Sequence, residues 1–228
     1  MESKKELMAA ELEKTIAQYW DNYYENKDIS HVPIPSQFAP FALQEAGKPD
    51  MILEFGCGLG RDSIFFARQG VKTVGFDGSQ VAVEKCKMIA DAFDINNLMF
   101  ETCQITTKNL NDIAFEYNMP DKSSQIMVYA RFFLHAITED DEKALLLFLT
   151  SALKSGDIFA IEYRTIRDSD LKKVTEFHYR RYINPVILHG KLAAAGFSIK
   201  YAVEGFGFAK FGRDDAYAAR CIAVKNPE

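Results

Sequence analysis

At 228 residues, with 48% hydrophobic and 26% charged side chains, the chain has the make-up of a folded globular protein rather than a disordered tail. A chain of this length buries roughly 70% of its unfolded surface and needs neither disulfides nor metals for stability. Its net charge of −5 argues against general affinity for nucleic acid or an anionic membrane surface.

The opening MESKKELMAAELEKTIAQYW carries charges throughout and has no apolar core of a signal peptide. Within it, Lys4 to Trp20 reads as an amphipathic helix with Met8, Leu12, Ile16 and Tyr19 at helical spacing. Pro33, Pro35 and Pro40 make the next segment too proline-dense for a regular element. Met51 to Phe55 reads as a buried strand, Gly56 to Gly60 as a glycine turn, and Arg61 to Arg68 as a helix closed by Gly70. Val71 to Phe76 is a second strand ending at Asp77, after which Ser79 caps a helix with Ala82, Cys86, Ile89 and Phe93 on one face. Asn97 to Cys103 and Gln125 to Ala130 are the third and fourth strands.

Thr138-x-x-Asp141 forms a capping box ahead of an apolar helix through Leu153. The apolar run from Ala144 to Leu153 in that helix is far short of the ~18 residues of a membrane span. Asp157 to Tyr163 is a fifth strand, and Asn184-Pro185 opens a helix closed by Gly196. Phe197 to Val203 and Ala216 to Val224 complete the set. Alternation of this kind predicts a doubly wound α/β sheet with helices on both faces, and ligands beyond the carboxyl ends of its strands. The four cysteines, Cys57, Cys86, Cys103 and Cys221, lie far apart without metal-ligand spacing. A single cytoplasmic domain over residues 1–228, holding no metal, is expected.

The strongest signal is Ile52-Leu-Glu-Phe-Gly-Cys-Gly-Leu-Gly-Arg-Asp62, followed 17 residues after Gly60 by Asp77 at the end of the next strand. Glycines at 56, 58 and 60 permit a tight strand-to-helix turn and close approach of a ligand to the backbone. Asp77 stands where a carboxylate accepts both hydroxyls of a ribose. The spacing is G-x-G-x-G rather than the dinucleotide G-x-G-x-x-G, and Glu54 precedes it. A carboxylate there repels a pyrophosphate and attracts an ammonium.

Over nearly its whole length the chain resembles the class I S-adenosylmethionine-dependent methyltransferases. The resemblance implies a Rossmann-like, mostly parallel seven-stranded sheet with an antiparallel last strand. It also implies S-adenosylmethionine as cofactor and S-adenosylhomocysteine as product. Glu54, Gly56, Gly58 and Gly60 would hold the cofactor's amino-acid end, Asp77 the ribose, and Gln104 and Ile105 the adenine, with Gly78 and Ser79 as further cofactor contacts. Gln104 stands where an acid is more usual in that family.

Tyr129-Ala-Arg-Phe-Phe-Leu-His-Ala-Ile137 follows the fourth strand, at the level of the transferred methyl group. It lacks the Asn/Asp-Pro-Pro-Tyr/Phe motif of enzymes that methylate base amines, which argues against a nucleic-acid substrate. His135 reads either as the base that takes a proton from an acceptor hydroxyl or as a helix-start histidine bonded to backbone. Arg131 reads as a group near the cofactor or an anionic acceptor, or as a surface salt bridge, and Phe132, Phe133 and Leu134 as core. Residues 164–182 form a connection of 19 residues ending in Phe177-His-Tyr-Arg-Arg-Tyr182, long enough to be a substrate loop. From Leu171 onward 10 Lys and Arg face 5 Asp and Glu, which is either a solvated surface or a basic wall beside an anionic ligand. Tyr129, Arg164, His178, Arg180 and Arg181 are the expected acceptor contacts.

The strings Trp20-Asp-Asn-Tyr-Tyr24, Pro35-Ser-Gln-Phe-Ala39, Tyr129 to Ile137 and His178 to Tyr182 resemble a narrower group, the methyltransferase domains of bacterial surface-polysaccharide and O-antigen biosynthesis. There the N-terminal segment, here residues 1–45, covers the cofactor, which implies Tyr24 and Ser36 as contacts. The expected reaction is methyl transfer to a small-molecule or glycan acceptor through a phosphate, carboxylate or hydroxyl oxygen. A non-catalytic S-adenosylmethionine-binding module and a nicotinamide oxidoreductase remain as alternatives.

Overall fold

Met51-Ile-Leu-Glu-Phe55 alternates its side chains across the strand β1 (Met51–Phe55), the centre of the sheet. Leu53 and Phe55 point to one face and Ile52 and Glu54 to the other, as the period of two requires. The remaining strands are β2 (Lys72–Asp77), β3 (Leu98–Thr102), β4 (Ile126–Arg131), β5 (Ile158–Arg164), β6 (Phe197–Gly205), β7 (Lys210–Phe211), β8 (Asp214–Asp215) and β9 (Ala218–Lys225). This computed structural model describes residues 2–117, 119, 124–173, 178–211 and 214–227.

Seven strands make one sheet in the order β3-β2-β1-β4-β5-β9-β6. The first five pair in parallel, and β9 runs antiparallel between β5 and β6. The Rossmann-like doubly wound fold is therefore present, with the antiparallel last strand. The chain winds outward from β1 to β3 and resumes at β4 on the other side of β1. This reversal opens a crevice at the carboxyl ends of β1 and β4.

The helices are α1 (Glu2–Glu25), α2 (Phe38–Ala46), α3 (Arg61–Arg68), α4 (Gln80–Ala92), α5 (Thr107–Glu116), α6 (Glu139–Ala152) and α7 (Pro185–Ala194). On one face of the sheet Leu53, Phe55, Val74, Val128 and Phe159 pack with Leu110 of α5, Phe148 of α6 and Leu192 of α7. On the other face Ile52, Met127 and Tyr129 pack with Phe38 of α2 and Phe66 of α3. Ile64 of α3 and Val83, Cys86 and Ile89 of α4 close over Leu98 and Phe100 of β3.

The helix starts follow local chemistry. Ser79 Oγ accepts from the Ala82 N–H at 3.2 Å. Thr138 and Asp141 make both bonds of the capping box, a device worth about 1 kcal/mol. Asn184 accepts from the Val186 N–H with Pro185 at the first position of α7.

Four features depart from the sequence reading. The proline-dense segment contains α2, whose third residue is Pro40; an N–H there has no partner in the helix, so proline costs no backbone bond. α5 begins at a Thr106 cap that accepts from the Asn109 N–H, and it buries only Leu110 and Ile113. The β7–β8 hairpin is two residues a side and overhangs the site. α1 also runs past Trp20 to Glu25, and its Ile16 and Tyr19 face a cavity rather than the core.

Candidate functional site

A cavity of about 710 Å³ lies at the carboxyl ends of β1, β2, β4 and β5, roofed by α1. α1 is held there from α4: Lys85 Nζ donates to the carbonyls of Tyr24, Glu25 and Lys27 at 2.8, 2.6 and 2.9 Å, and Ser79 Oγ donates to Asp21. Lysine closing the carbonyl end of a helix also suits the helix dipole.

The glycine turn forms one end of the cavity. Gly56 and Gly58 have φ of 75° and 55°, which disfavour any side chain. A Cβ on Gly56 would stand 2.5 Å from Phe133 Cδ2, and one on Gly58 would stand 2.8 Å from Tyr24 Oη. Gly60 points elsewhere. A Cβ on it would meet Phe100 at 2.6 Å, so it serves the packing of α3 against β3 and does not line the cavity.

Asp77 accepts from the Gly58 N–H at 2.8 Å and the Ser79 N–H at 2.9 Å, tying the end of β2 to the turn after β1. Burial pushes its carboxyl up, and these two N–H bonds pull the other way. Gly78, Ser79, Gln104, Ile105 and Tyr24 line the same end, and Gln104 Nε2 donates to the Gly78 carbonyl at 3.0 Å. Tyr24's hydroxyl is pushed well up, first by burial and then by the charge of Asp77. Glu54 is buried, takes a hydrogen bond from Ser63 Oγ and lines the cavity; burial and the charge of Asp62 raise its carboxyl well above the usual range.

The other end is cationic and aromatic. Arg131, Arg164, Arg180 and Lys210 line it with Phe132, His135 and His178. Arg131 is no surface salt bridge: its Nε donates to the buried Glu162 at 2.8 Å, and Glu162 accepts from Arg220 Nε at 2.6 Å. Arg164 donates to Asp168 at 2.7 Å and to Asp214 of β8. Phe132, expected in the core, has a left-handed φ of 52° and lies 4.6 and 5.5 Å from the Arg131 and Arg164 guanidinium carbons. A non-glycine residue in that region costs about 1–3 kcal/mol and marks functional sites. Phe133 also lines the cavity, whereas Leu134 is core as expected.

His135 is 5% exposed, its ring is edge-on to Phe132 at 5.3 Å, and its Nδ1 is buried with no hydrogen-bond partner. Burial, with the charges of Arg164 and Arg180, holds the imidazole well below its ordinary range, so it is neutral at physiological pH. His178 stacks on Tyr19 at 4.4 Å and meets Arg180 Nη2 at 3.0 Å, joining the loop after β5 to α1. Residues 174–177 of that loop, Phe177 among them, lie outside the described residues.

Three expected contacts are engaged elsewhere. Tyr129 is fully buried under α2 and α3 and donates to Asp62 Oδ2 at 2.9 Å; it does not line the cavity. Ser36 borders the cavity, but its N–H and Oγ both donate to Asp62 at 2.7 Å while Oγ accepts from the Ala39 N–H. Arg181 donates to the Leu134 and Ile137 carbonyls at 2.9 and 2.8 Å and to Glu142 at 2.7 Å, pinning the turn that carries His135 without reaching the cavity. The sequence reading gives no site role to Asp62, Tyr19, Lys210 or Glu162, although Asp62 stands last in the glycine-turn string and Tyr19 on the expected N-terminal helix.

Among the described residues no group of His, Cys, Asp or Glu is arranged to hold a metal, and no helix is long and apolar enough to cross a membrane. A comparison with curated proteins finds no match. Among solved structures, a SAM-dependent methyltransferase from Anabaena variabilis is similar, with a TM-score of 0.67 at 17% identity over 94% of this chain and 95% of that one. The CcbJ methyltransferase from Streptomyces caelestis has a TM-score of 0.65 at 17% identity, over 94% and 99% of the two chains. The glycopeptide N-methyltransferase MtfA has 0.61 at 16%, over 85% and 97%. Identities this low carry the fold alone. The sequence family described as a methyltransferase domain matches residues 28–210, most of the chain, and the protein belongs to that family.

Proposed function

We propose that the protein transfers a methyl group from S-adenosylmethionine to a small-molecule or glycan acceptor that carries an anionic group. The observation that carries this reading is the division of one cavity into an acidic, glycine-lined end and a cationic, aromatic end. The acidic end fits the cofactor. Each Asp77 oxygen takes one backbone N–H and keeps lone pairs for a ribose hydroxyl. Gln104, with its amide N–H on Gly78, has its carbonyl oxygen to accept from an adenine amine. Glu54 offers a buried carboxyl whose ionised form, disfavoured by burial and by Asp62, is favoured by the charge of an arriving ammonium, and Gly56 and Gly58 leave no side chain between the backbone and a ligand.

The bound cofactor supplies an activated methyl group on a sulfonium. The chain's own part is alignment and exclusion of water. α1 covers the cavity with Tyr19, Trp20, Tyr23 and Tyr24, while Arg180 and Lys210 face an anionic acceptor from the loop after β5 and from the β7–β8 hairpin. Arg131 and Arg164 are held by Glu162 and by Asp168 and Asp214, so they present oriented guanidinium groups rather than loose charges. A glycan or small-molecule acceptor is in keeping with the name of the neighbour described as a glycopeptide N-methyltransferase.

The test is incubation of the protein with methyl-labelled S-adenosylmethionine and a source-cell extract, followed by anion exchange. Label is expected in an acidic acceptor pool and reduced by Arg180→Glu with S-adenosylhomocysteine binding retained. Label confined to neutral material contradicts the anionic acceptor, and no label despite tight cofactor binding favours a binding module.

A further inference from the structure

His135 is the one strongly buried imidazole in the cavity, and its environment is specific. It projects from the turn between β4 and α6, and three of that turn's carbonyls are fixed. The Arg181 N–H donates to the His135 carbonyl at 2.8 Å, and the Arg181 guanidinium holds those of Leu134 and Ile137. Yet the Nδ1 of the ring so positioned is buried without a hydrogen bond. An unmet buried donor or acceptor is costly to the fold, and with Nδ1 closed off the ring meets a ligand in the cavity through its other edge, which carries Nε2.

The charges facing the ring come from five parts of the chain. Arg131 ends β4, Arg164 ends β5, and Arg180 and His178 belong to the loop beyond. Lys210 and Asp214 belong to the hairpin, and Asp141 opens α6. Glu162 offsets Arg131, and Asp168 with Asp214 offsets Arg164. In this field the imidazole is neutral, which leaves a lone pair able to take a proton.

We propose that His135 is the proton acceptor of the methyl transfer, and that an anionic group on the acceptor, bound near Arg180 and Lys210, raises its basicity at the moment it is needed. This rests on the reading of the cavity as a methyl-transfer site and deepens it: the methylated atom is a protonated nucleophile, a hydroxyl or amine, on a molecule whose anionic group is separate. In the step, a lone pair of the acceptor oxygen or nitrogen forms the bond to the methyl carbon. The methyl–sulfur bond breaks with its electron pair kept on sulfur, and the acceptor's proton passes to the imidazole, which later returns it to water. The anion counters the cations that depress the ring, so binding and base strength are coupled. A molecule without the anion meets a weaker base.

The test uses the full chain saturated with S-adenosylhomocysteine, 15N-labelled at histidine, with inorganic phosphate as the anionic probe. Nitrogen shifts report the protonation of each ring, and loss of one signal set in His135→Gln assigns it. Without phosphate, His135 is expected to stay neutral at pH values where an ordinary imidazole is already protonated. Phosphate should raise its midpoint by about 1–3 pH units, the range for an opposite charge within ~4–6 Å, and Arg180→Gln should remove most of that rise. A midpoint unmoved by phosphate, or an ordinary midpoint in its absence, overturns the proposal. Failure of S-adenosylhomocysteine to bind, measured first on the same sample, sinks the methyl-transfer reading instead.

Discussion

Replacing Glu162 with Ala is expected to destabilise the protein by about 3–5 kcal/mol, the range for removing one partner of a buried ion pair. Glu162 has no exposed side-chain surface, and it accepts from Arg131 at 2.8 Å and Arg220 at 2.6 Å. Its loss leaves two largely buried guanidinium groups, with 17% and 10% of their side chains exposed, without the carboxylate they share. Among the described residues neither has a second carboxylate bonded to it, although Arg220 Nη2 also donates to the Phe208 carbonyl at 2.7 Å. Urea unfolding measures the change. Asp112→Ala, which breaks the exposed pair with Lys108, should leave the midpoint in place. A similar shift for both variants would mean that the Glu162 network adds nothing beyond surface electrostatics.

The second large effect concerns the glycine turn. Gly56→Ala should lower stability by roughly 1–2 kcal/mol for the left-handed backbone, and by a further ~1–3 kcal/mol for overpacking. The reason for the second part is that the new Cβ stands 2.5 Å from Phe133 Cδ2, with Phe133 Cγ and Cβ at 3.0 and 3.1 Å, so turning the ring alone does not relieve the contact. Gly47 is the control. Its φ is 70°, but a Cβ there has nothing within 4 Å, so Gly47→Ala carries only the backbone cost. Unfolding of both variants separates conformation from contact, and equal losses would contradict the packing argument. Displacement of Phe133 should also weaken S-adenosylhomocysteine binding in the Gly56 variant and not in the Gly47 variant.

Much of this architecture is legible in the sequence because its signals are local. Every strand of the large sheet falls within two residues of its expected bounds, and Ser79, Thr138 and Asn184 cap the helices they precede. The elements that escape notice have weak local signals: α5 buries two side chains, and β7 and β8 are two residues each. α2 escapes because Pro40 reads as a breaker, although in the first helical turn it breaks nothing.

Side-chain partnership over distance is where sequence reasoning fails. Ser36 and Tyr129 look like ligand contacts, but both close on Asp62, which is 26 and 67 residues away along the chain. Arg180 and Arg181 are adjacent and look equivalent. On an extended segment neighbours face opposite ways, so one meets the cavity and the other is spent on Glu142 and the turn before α6. The same alternation places Glu54 beside Tyr129 on the α3 face of the sheet, which explains why burial and Asp62, rather than a cation, dominate its titration.

Calorimetric titration with S-adenosylhomocysteine tests most directly whether the acidic end of the cavity seats S-adenosylmethionine. The wild-type chain should bind one equivalent. Asp77→Ala should lose about 1.5–3 kcal/mol of that affinity, roughly ten- to a hundredfold, the range for hydrogen bonds to a charged group. Absence of binding to the wild type, or equal affinity in the Asp77 variant, would contradict the assignment of this end of the cavity to the cofactor.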